Sequence, residues 1–189
     1  MAGLDWSHLF AQLAAHRPAD EKEERDLAFI RAFLERHPAD AHLRSQREGH
    51  LTGSGFVLDA ARAHLLLLHH GKLRRWLQPG GHGEGETDPR QIALREIEEE
   101  TGLSPADLAP LPDAAILDVD VHLIPARPGE AAHPHLDLRY GFAARVGAAP
   151  RMSEESRELR WFPLDALPDD CDDSLRRAVR KLCGAGMDR

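Results

Sequence analysis

Apolar side chains recur at helical spacing near the start of the chain, at Leu9, Leu13, Leu27, Ile30 and Leu34. This period predicts amphipathic helices between residues 5 and 36, with a break at Arg17–Pro18 that divides the segment in two. Asp20 is suited to cap the second helix, because Glu23 follows it by three residues, as in a capping pair. We interpret the charged residues from Glu21 to Arg25 as a solvated helix face.

After these helices the pattern changes to short apolar or alternating runs that are typical of strands. The runs occupy residues 55–58, 64–68, 75–77, 115–124, 136–146 and 158–162. A glycine-rich loop over residues 79–86 and a helix over Pro89–Thr101 separate the third run from the fourth, and a last helix covers about residues 174–182. Strands on both sides of a central helix predict a mixed sheet flanked by helices, an α/β domain over residues 49–189. Residues 1–48 form an N-terminal helical extension in this prediction.

The composition supports one folded unit and limits its partners. Of the 189 residues, 42% are hydrophobic and 30% are charged, which is typical of a globular protein and too polar for a membrane protein. The net charge of −8 argues against a nucleic-acid polymer as the main partner, because basic residues supply most of the affinity for such a polymer. A small phosphorylated ligand is compatible with this charge, since a metal ion and a few donors can bind it locally.

Cysteine usage and the N-terminal sequence bear on the cellular compartment. The two cysteines, Cys171 and Cys183, do not have metal-binding spacing, so a reducing cytoplasm is the simplest expectation. Asp5, Ser7 and His8 interrupt the N-terminal segment, so we expect neither a signal peptide nor a membrane span of about 20 apolar residues.

The central helix has clear boundary signals and carries the main candidate chemistry. Asp88 is placed as its N-cap, and Gly102 is suited to the left-handed conformation that ends a helix. Within the helix, Glu96, Glu99 and Glu100 stand at positions i, i+3 and i+4, which places three carboxylates on one face.

Three neighbouring carboxylates repel one another, so this face is suited to a hard divalent cation such as Mg²⁺. Substrate phosphate oxygens commonly complete the coordination of Mg²⁺, and Arg95 is close enough in sequence to fix one glutamate by a bidentate contact. A glutamate-rich helix is ordinarily no more than a solvated face. Apolar residues also occupy much of this helix, at Ile92, Ala93, Leu94 and Ile97. We therefore expect a packed helix whose carboxylates need a partner.

This helix resembles the motif of the Nudix hydrolases. Residues 95–103 read Arg-Glu-Ile-Glu-Glu-Glu-Thr-Gly-Leu and match its second half, Arg-Glu-apolar-x-Glu-Glu-x-Gly-apolar, at every defined position. The first half of the motif is Gly, five residues, Glu and seven further residues. Counting from Gly81 places Thr87 at the glutamate position, whereas counting from Gly80 finds Glu86 but leaves eight residues before the arginine. The loop therefore departs from the family pattern, and Glu86 fits it if the loop is one residue shorter before Glu86 and one longer after.

The resemblance extends over roughly residues 51–182 and implies a fold and an activity. The fold is a Nudix-type α/β/α sandwich with a mixed sheet. The activity is that of a pyrophosphatase that requires Mg²⁺ or Mn²⁺ and directs water onto phosphorus in the diphosphate linkage of a nucleoside-diphosphate-X substrate. The implied partner is thus a small nucleotide-like molecule, and a homodimer is compatible with the sequence.

By the same resemblance, the central helix supplies the catalytic residues. Glu96 and Glu100 are the implied metal ligands, and Glu99 is a further ligand or the base that activates water. Arg95 belongs to the same catalytic set. Supporting residues in the loop are Gly81 and Glu86.

Two other functions of the same fold stay open, a nucleotide-sensing module that binds without cleavage and an isomerase. The complete Arg-Glu-x-x-Glu-Glu set weighs against a pure sensor. An isomerase of the isopentenyl diphosphate type would need a cysteine near the sheet, whereas Cys171 and Cys183 both lie in the C-terminal segment.

A second polar cluster lies on a predicted strand. His135, Asp137 and Arg139 alternate, so they share one face, and together with Asp120 and His122 on the preceding strand they are candidates for binding a substrate phosphate or a second metal. The ordinary alternative is a solvent-facing row opposite a core formed by the intervening apolar residues, which is the commoner arrangement in half-buried strands. Two residues before the last strand are candidates for a further carboxylate ligand or for a solvated loop, Glu154 and Glu155.

Overall fold

Four helices and eight strands occur in the computed structural model, which describes residues 4–71, 73–111, 115–126, 131–153 and 156–184. The helices are α1 (Ser7–Ala15), α2 (Glu21–Arg36), α3 (Pro89–Thr101) and α4 (Asp173–Gly184), with a 3-10 turn at Pro105–Asp107. The strands are β1 (His50–Leu58), β2 (His64–His70), β3 (Trp76–Leu77), β4 (Gly80–His82), β5 (Leu108–Pro110), β6 (Ile116–Ile124), β7 (His133–Ala144) and β8 (Ser156–Pro163).

The strands form one mixed sheet, as the sequence predicts. Its central path runs β3-β2-β1-β7-β5, with β4 paired to β1, β6 to β7 and β8 to β2. The central pair, β1 and β7, is parallel over nine residue pairs, from His50 opposite His135 to Leu58 opposite Ala143, while the other pairs are antiparallel. Strand β7, which carries His135, Asp137 and Arg139, therefore lies beside β1 at the centre of the sheet.

Helices cover both faces of the sheet, which confirms the sandwich. Helix α3 lies directly on β1, because two glycines remove the side chains that would hold it away. A Cβ atom on Gly53 would lie 2.2 Å from the Pro89 carbonyl oxygen, and one on Gly55 would lie 2.3 Å from Ile97 Cδ1. Helix α4 packs on the other face, where its buried residues share a core with Phe56 of β1.

The N-terminal helices pack on this domain and share its core. Buried residues of α1 and α2, Leu13 and Ile30 among them, belong to the same apolar cluster as Ala93 of α3. None of the helices in the described ranges is long and apolar enough to cross a membrane. The boundary between residues 1–48 and 49–189 stays a prediction.

Helix α2 supplies hydrogen-bond acceptors to the open edge of β6, and for this reason the predicted solvated face over Glu21 to Arg25 is wrong at Glu23. Glu23 is fully buried rather than part of a solvated face, and its Oε1 accepts a hydrogen bond from the backbone N–H of Val119 at 3.2 Å. Asp26 Oδ2 accepts one from the N–H of Val121 at 3.0 Å. Strand β6 pairs with β7 alone in the described sheet, so these carboxylates supply acceptors that a further strand would provide. The predicted cap is confirmed, since Asp20 accepts from Glu23 N–H.

Three parts of the sheet differ from the sequence-based prediction. The glycine-rich loop contains β4, and β5 was not expected at all. Strand β7 begins at His133, three residues before the start of the predicted run at residues 136–146. In each case the backbone pairs with a neighbouring strand: β4 pairs with Thr52–Ser54 of β1, β5 pairs with β7, and the start of β7 pairs with β6. Such pairing needs no periodic side-chain pattern, so the hydrophobic pattern does not reveal it.

Candidate active site

Local chemistry fixes where α3 begins and ends. Asp88 Oδ1 accepts a hydrogen bond from the backbone N–H of Arg90 at 2.9 Å, and Pro89 occupies the first turn. At the other end Gly102 has φ of 67°, and its N–H donates to the Glu98 carbonyl. Both predicted boundaries are confirmed, and they set the direction in which the glutamates of the helix project.

Glu96 is the buried member of the carboxylate cluster. Its side chain is 13% exposed, and it lies against the backbone of β4, where a Cβ atom on Gly81 would come within 2.6 Å of the carboxylate. Glycine is therefore required at position 81 for Glu96 to keep this place. Glu100 meets the same strand, since its Oε2 accepts a hydrogen bond from the N–H of Gly80 at 3.0 Å.

Arg95 joins two of the glutamates to the loop. Its Nη2 donates to Glu96 Oε1 at 2.9 Å and to the backbone carbonyl of His82, while its Nη1 donates to Glu99 Oε1 at 3.0 Å. Glu99 is the exposed member of the set, with 55% of its side chain accessible. The guanidinium thus fixes the directions of both carboxylates and fastens α3 to β4.

The loop places its acidic residues differently from the sequence-based expectation. Glu86 Oε1 accepts hydrogen bonds from the backbone N–H groups of Thr87 at 2.6 Å and Asp88 at 2.9 Å, so it serves the start of α3. Glu84 is not a defined position of the motif, yet its Oε2 lies 3.8 Å from Arg95 Nη1. The supporting role of Glu86 stays a prediction. Glu154 and Glu155 lie outside the described residues.

The second polar cluster is buried, so its interpretation as a solvent-facing row is wrong. Asp137 and Arg139 are 2% and 3% exposed, and Arg139 Nε donates to Asp137 Oδ2 at 2.9 Å. The remaining nitrogens of Arg139 face Asp118 at 3.2 Å and Asp120 at 3.4 Å. A charge that is buried away from water needs partners of opposite charge, and β6 supplies two of them to Arg139. His135 is partly exposed.

A residue that the sequence analysis missed completes this network. Arg177 of α4 donates from Nε to Asp118 Oδ2 at 2.8 Å and from Nη2 to Asp118 Oδ1 at 2.9 Å. It sits in a helix with an ordinary amphipathic pattern, and no feature of that pattern distinguishes it from the exposed arginine at position 180.

The buried network and the carboxylate cluster meet at β4. Ser54 donates its hydroxyl hydrogen to Asp137 Oδ1 at 2.8 Å. The same hydroxyl oxygen lies where a Cβ atom on Gly80 would approach to 2.2 Å. Gly80 in turn donates its N–H to Glu100. Strand β4 therefore lies between the buried network of the sheet and the glutamates of α3, and it contacts both.

The family model described as NUDIX domain matches residues 50–182, which is well over half of the chain. The chain belongs to the NUDIX domain family. The motif residues of this Nudix domain lie together on α3, as the motif predicts: Arg95, Glu96, Glu99 and Glu100. Strand β4 contacts this group through the N–H of Gly80, which donates to Glu100.

Two curated relatives match parts of this Nudix domain. The CMP-5'-(N-acetyl-N-hydroxy-3-aminopropyl)phosphonate hydrolase of Streptomyces rubellomurinus is 31% identical over 115 residues, covering 58% of this chain and 50% of the relative. The probable DHNTP pyrophosphohydrolase of Lactococcus lactis subsp. cremoris is 32% identical over 76 residues, covering 40% and 44%. The match spans about half the length of each relative.

Solved structures confirm the Nudix fold. A C. elegans Ap4A hydrolase superposes with a TM-score of 0.58 at 20% identity, covering 71% of this chain and 95% of that one. A NUDIX family hydrolase from Clostridium perfringens has a TM-score of 0.54 at 23% identity, covering 73% and 97%. In both matches the part of this chain left uncovered exceeds a quarter of its length.

The carboxylate cluster of this Nudix domain fits a divalent cation. Burial raises the pKa of Glu96 to about 7, the nearby charges of Glu99 and Glu84 add to this effect, and Arg95 opposes it. A buried carboxylate whose ionised form is disfavoured by its own neighbours is stabilised by added positive charge. Oxygen ligands of this kind suit Mg²⁺ and Mn²⁺.

The raised pKa of Glu96 predicts how the metal-free protein responds to pH. In the folded chain Glu96 keeps its proton up to about pH 7, whereas an unfolded glutamate loses it near 4.5. Between these two pH values the folded chain therefore binds a proton that the unfolded chain has released. As the pH rises through this window, the contribution of Glu96 to the free energy of unfolding falls. Glu96→Gln lacks this titration.

We expect metal-free Glu96→Gln to gain stability relative to metal-free wild type as the pH rises from 5 to 8. Urea unfolding in EDTA at several pH values measures the difference. A difference that does not change with pH would show that Glu96 titrates in the folded protein as it does in the unfolded chain.

Proposed function

We propose that this Nudix domain hydrolyses the diphosphate linkage of a nucleoside-diphosphate-X substrate by attack of water on phosphorus. The observation that carries the proposal is the cluster of Glu96, Glu99 and Glu100, oriented by Arg95 and pressed against β4. The names of the two curated relatives support it, since one is a hydrolase of a CMP-linked phosphonate and the other a pyrophosphohydrolase.

Glu96 and Glu100 are the residues that would hold Mg²⁺ or Mn²⁺ in this proposal. A bound divalent cation polarises phosphoryl oxygens, lowers the pKa of coordinated water and neutralises charge on the leaving group. The two glutamates are suited to this task because backbone and side-chain donors fix both: the N–H of Gly80 holds Glu100, and Arg95 holds Glu96.

Glu99 differs from its neighbours because it reaches solvent. With 55% of its side chain exposed, it can meet a water molecule at the surface of the cluster and accept a proton from it, or act as a further metal ligand. The guanidinium of Arg95, whose Nη1 lies 3.0 Å from Glu99 Oε1, fixes the direction of this carboxylate.

His135, Asp137 and Arg139 stay predicted substrate-binding residues. Because Asp137 and Arg139 are buried and bonded to each other, a substrate could meet them directly only by exchanging those contacts. In the proposal Asp137 and Arg139 affect substrate binding indirectly, because they help to position β4. His135 is partly exposed and is the member that can contact the substrate directly.

The isomerase alternative finds no support at the two cysteines. Cys171 is buried beside α4, and burial raises the pKa of its thiol to about 11, which keeps it protonated at neutral pH. Cys183 lies at the end of α4, on the opposite face of the sheet from α3. A nucleotide-sensing module stays open, and turnover decides against it.

A panel of nucleoside diphosphate derivatives, assayed with Mg²⁺, Mn²⁺ and EDTA, tests the proposal. We expect at least one nucleoside-diphosphate-X compound to be hydrolysed with either metal and none in EDTA. The matching nucleoside monophosphates serve as controls, because they lack the diphosphate linkage and should release no orthophosphate. Binding of these compounds without turnover would support the sensor instead.

A further inference from the structure

Five histidines gather on one region of the sheet, apart from the carboxylates of α3. We call them the histidine cluster: His50 on β1, His82 on β4, His122 on β6, and His133 and His135 on β7. The His50 ring lies at the centre, with centroid distances of 4.8 Å to His135, 5.0 Å to His133 and 5.1 Å to His82.

Strand register explains why residues so far apart in sequence meet. His50 of β1 pairs with His135 of β7, and His135 pairs with His122 of β6, so three imidazoles form a row across three adjacent strands. His133 stands two residues before His135 and therefore on the same face. Since Gly53 and Gly55 face α3, alternation along β1 directs His50 to the opposite face of the sheet.

Ring nitrogens of three members lie close enough to share one ion. His50, His133 and His135 can each offer a nitrogen such that all three atoms lie within 4.8 Å of one another. Two imidazoles on one tetrahedral zinc ion have nitrogens roughly 3.3 Å apart, given bonds of about 2.0–2.1 Å. A separation of this size already occurs in the cluster, since His82 Nε2 lies 3.2 Å from His135 Nε2.

The ring nitrogens of the central histidine, His50, are buried without a regular hydrogen-bond partner among the described residues. The residue as a whole is fully buried. Buried polar atoms nearly always have a partner in native proteins, so an imidazole in this state points to a missing ligand.

Burial favours the neutral, metal-binding form of two of the rings, His50 and His135. Burial lowers the pKa of His50 to about 4, with the nearby rings of His82 and His133 adding to the effect and the backbone of Gln46 opposing it. Burial and the neighbouring histidines hold the pKa of His135 well below its usual range. Neutral imidazoles have a free lone pair, whereas protonated rings packed at these distances would repel.

We propose that His50, His133 and His135 bind a divalent transition metal ion of the zinc class, at a site separate from the glutamates. Three imidazoles favour zinc, nickel or copper, whereas magnesium and manganese prefer the oxygen ligands of α3. His122, with 43% of its side chain exposed, marks the side from which an ion enters. Three protein ligands leave a coordination position open to solvent or to a ligand on this face.

The two sites are neighbours through β4. His82 belongs to the histidine cluster by its side chain, while its carbonyl accepts a hydrogen bond from Arg95 in the carboxylate cluster. An experiment must therefore separate binding at one site from binding at the other.

Cobalt(II) binding to metal-free protein in excess Mg²⁺ provides this test. We expect one equivalent of Co²⁺ to give visible absorption bands typical of a low-coordinate nitrogen site, and Zn²⁺ to displace it. His133→Gln and His135→Gln should weaken Co²⁺ binding by about tenfold or more, since each removes one ligand. The matched control is His64→Gln. His64 lies at the start of β2, away from the cluster, and its Nδ1 contacts Asp59 Oδ2 at 2.8 Å, so this variant should bind Co²⁺ as wild type does. Glu96→Gln should also leave Co²⁺ binding unchanged.

The wild-type protein gives an answer that does not depend on whether the variants fold. With one equivalent of Cu²⁺ in excess Mg²⁺, pulsed electron paramagnetic resonance should show nitrogen modulation from coordinated imidazole. Absence of that modulation, absence of tight Co²⁺ binding, or weakening of Co²⁺ binding by Glu96→Gln but not by His133→Gln would each overturn the proposed site.

Discussion

Glu96→Gln and Glu100→Gln should each keep the fold and lose about 10²- to 10⁴-fold in kcat/KM with Mg²⁺. Glutamine preserves the shape of the side chain and an acceptor oxygen, so the contact from Gly80 N–H to position 100 can persist. The substitution removes a negative ligand, and a metal that stabilises the transition state by several kcal/mol is then held poorly.

Glu98→Gln is the matched control for these variants. It makes the same change of charge on the same helix, but Glu98 is exposed and lies outside the cluster, so its kcat/KM should stay near the wild-type value. Steady-state kinetics at saturating Mg²⁺, with circular dichroism of each protein, measures the effect. Near-wild-type turnover by folded Glu100→Gln would remove Glu100 from the ligand set. An equal loss in Glu98→Gln would indicate a general effect of charge.

Asp118→Asn should destabilise the fold by about 3–5 kcal/mol, the usual cost of removing one partner from a buried ion pair. Asp118 is fully buried and accepts hydrogen bonds from both Arg139 and Arg177. Asparagine has nearly the same shape, so the loss reflects two guanidinium groups left with less compensating charge rather than a cavity. For a domain of this size the melting temperature should fall by roughly 10 °C.

Glu158→Gln provides the control for Asp118→Asn. Glu158 pairs with Arg160, but both side chains are about half exposed, at 46% and 56%, so the change should cost less than about 1 kcal/mol. Urea unfolding at pH 7 compares the two variants with the wild type. If Asp118→Asn unfolds at the wild-type urea concentration, the network does not hold β6, β7 and α4 together.

The sequence predicted helix α3 and the grouping of its glutamates because both are local. The cap at Asp88, the left-handed Gly102 and the spacing of the glutamates depend on residues within one helix, and the structure confirms their placement. Arg95 was also expected to fix a glutamate, and it contacts Glu96 and Glu99.

Contacts between distant segments could not be predicted in the same way. Glu23 resembles any charged residue of an exposed helix, yet the edge of β6 buries it as a hydrogen-bond acceptor. Arg177 looks like a surface residue of α4 until the sheet places Asp118 beneath it. His50 gains its neighbours through the pairing of β1 with β7 and with β4. Each of these roles depends on strand pairing, which a single sequence specifies weakly.

Hydrolysis in ¹⁸O-labelled water identifies the atom of the substrate that water attacks. With the best nucleoside-diphosphate-X substrate from the panel, mass spectrometry of both products locates the oxygen that came from water. Attack on phosphorus predicts two phosphate-bearing products, one of which carries the label on its phosphate. Label in the X group or in a nucleoside, with no label on phosphate, would mean that a carbon–oxygen bond breaks instead and that water does not attack phosphorus.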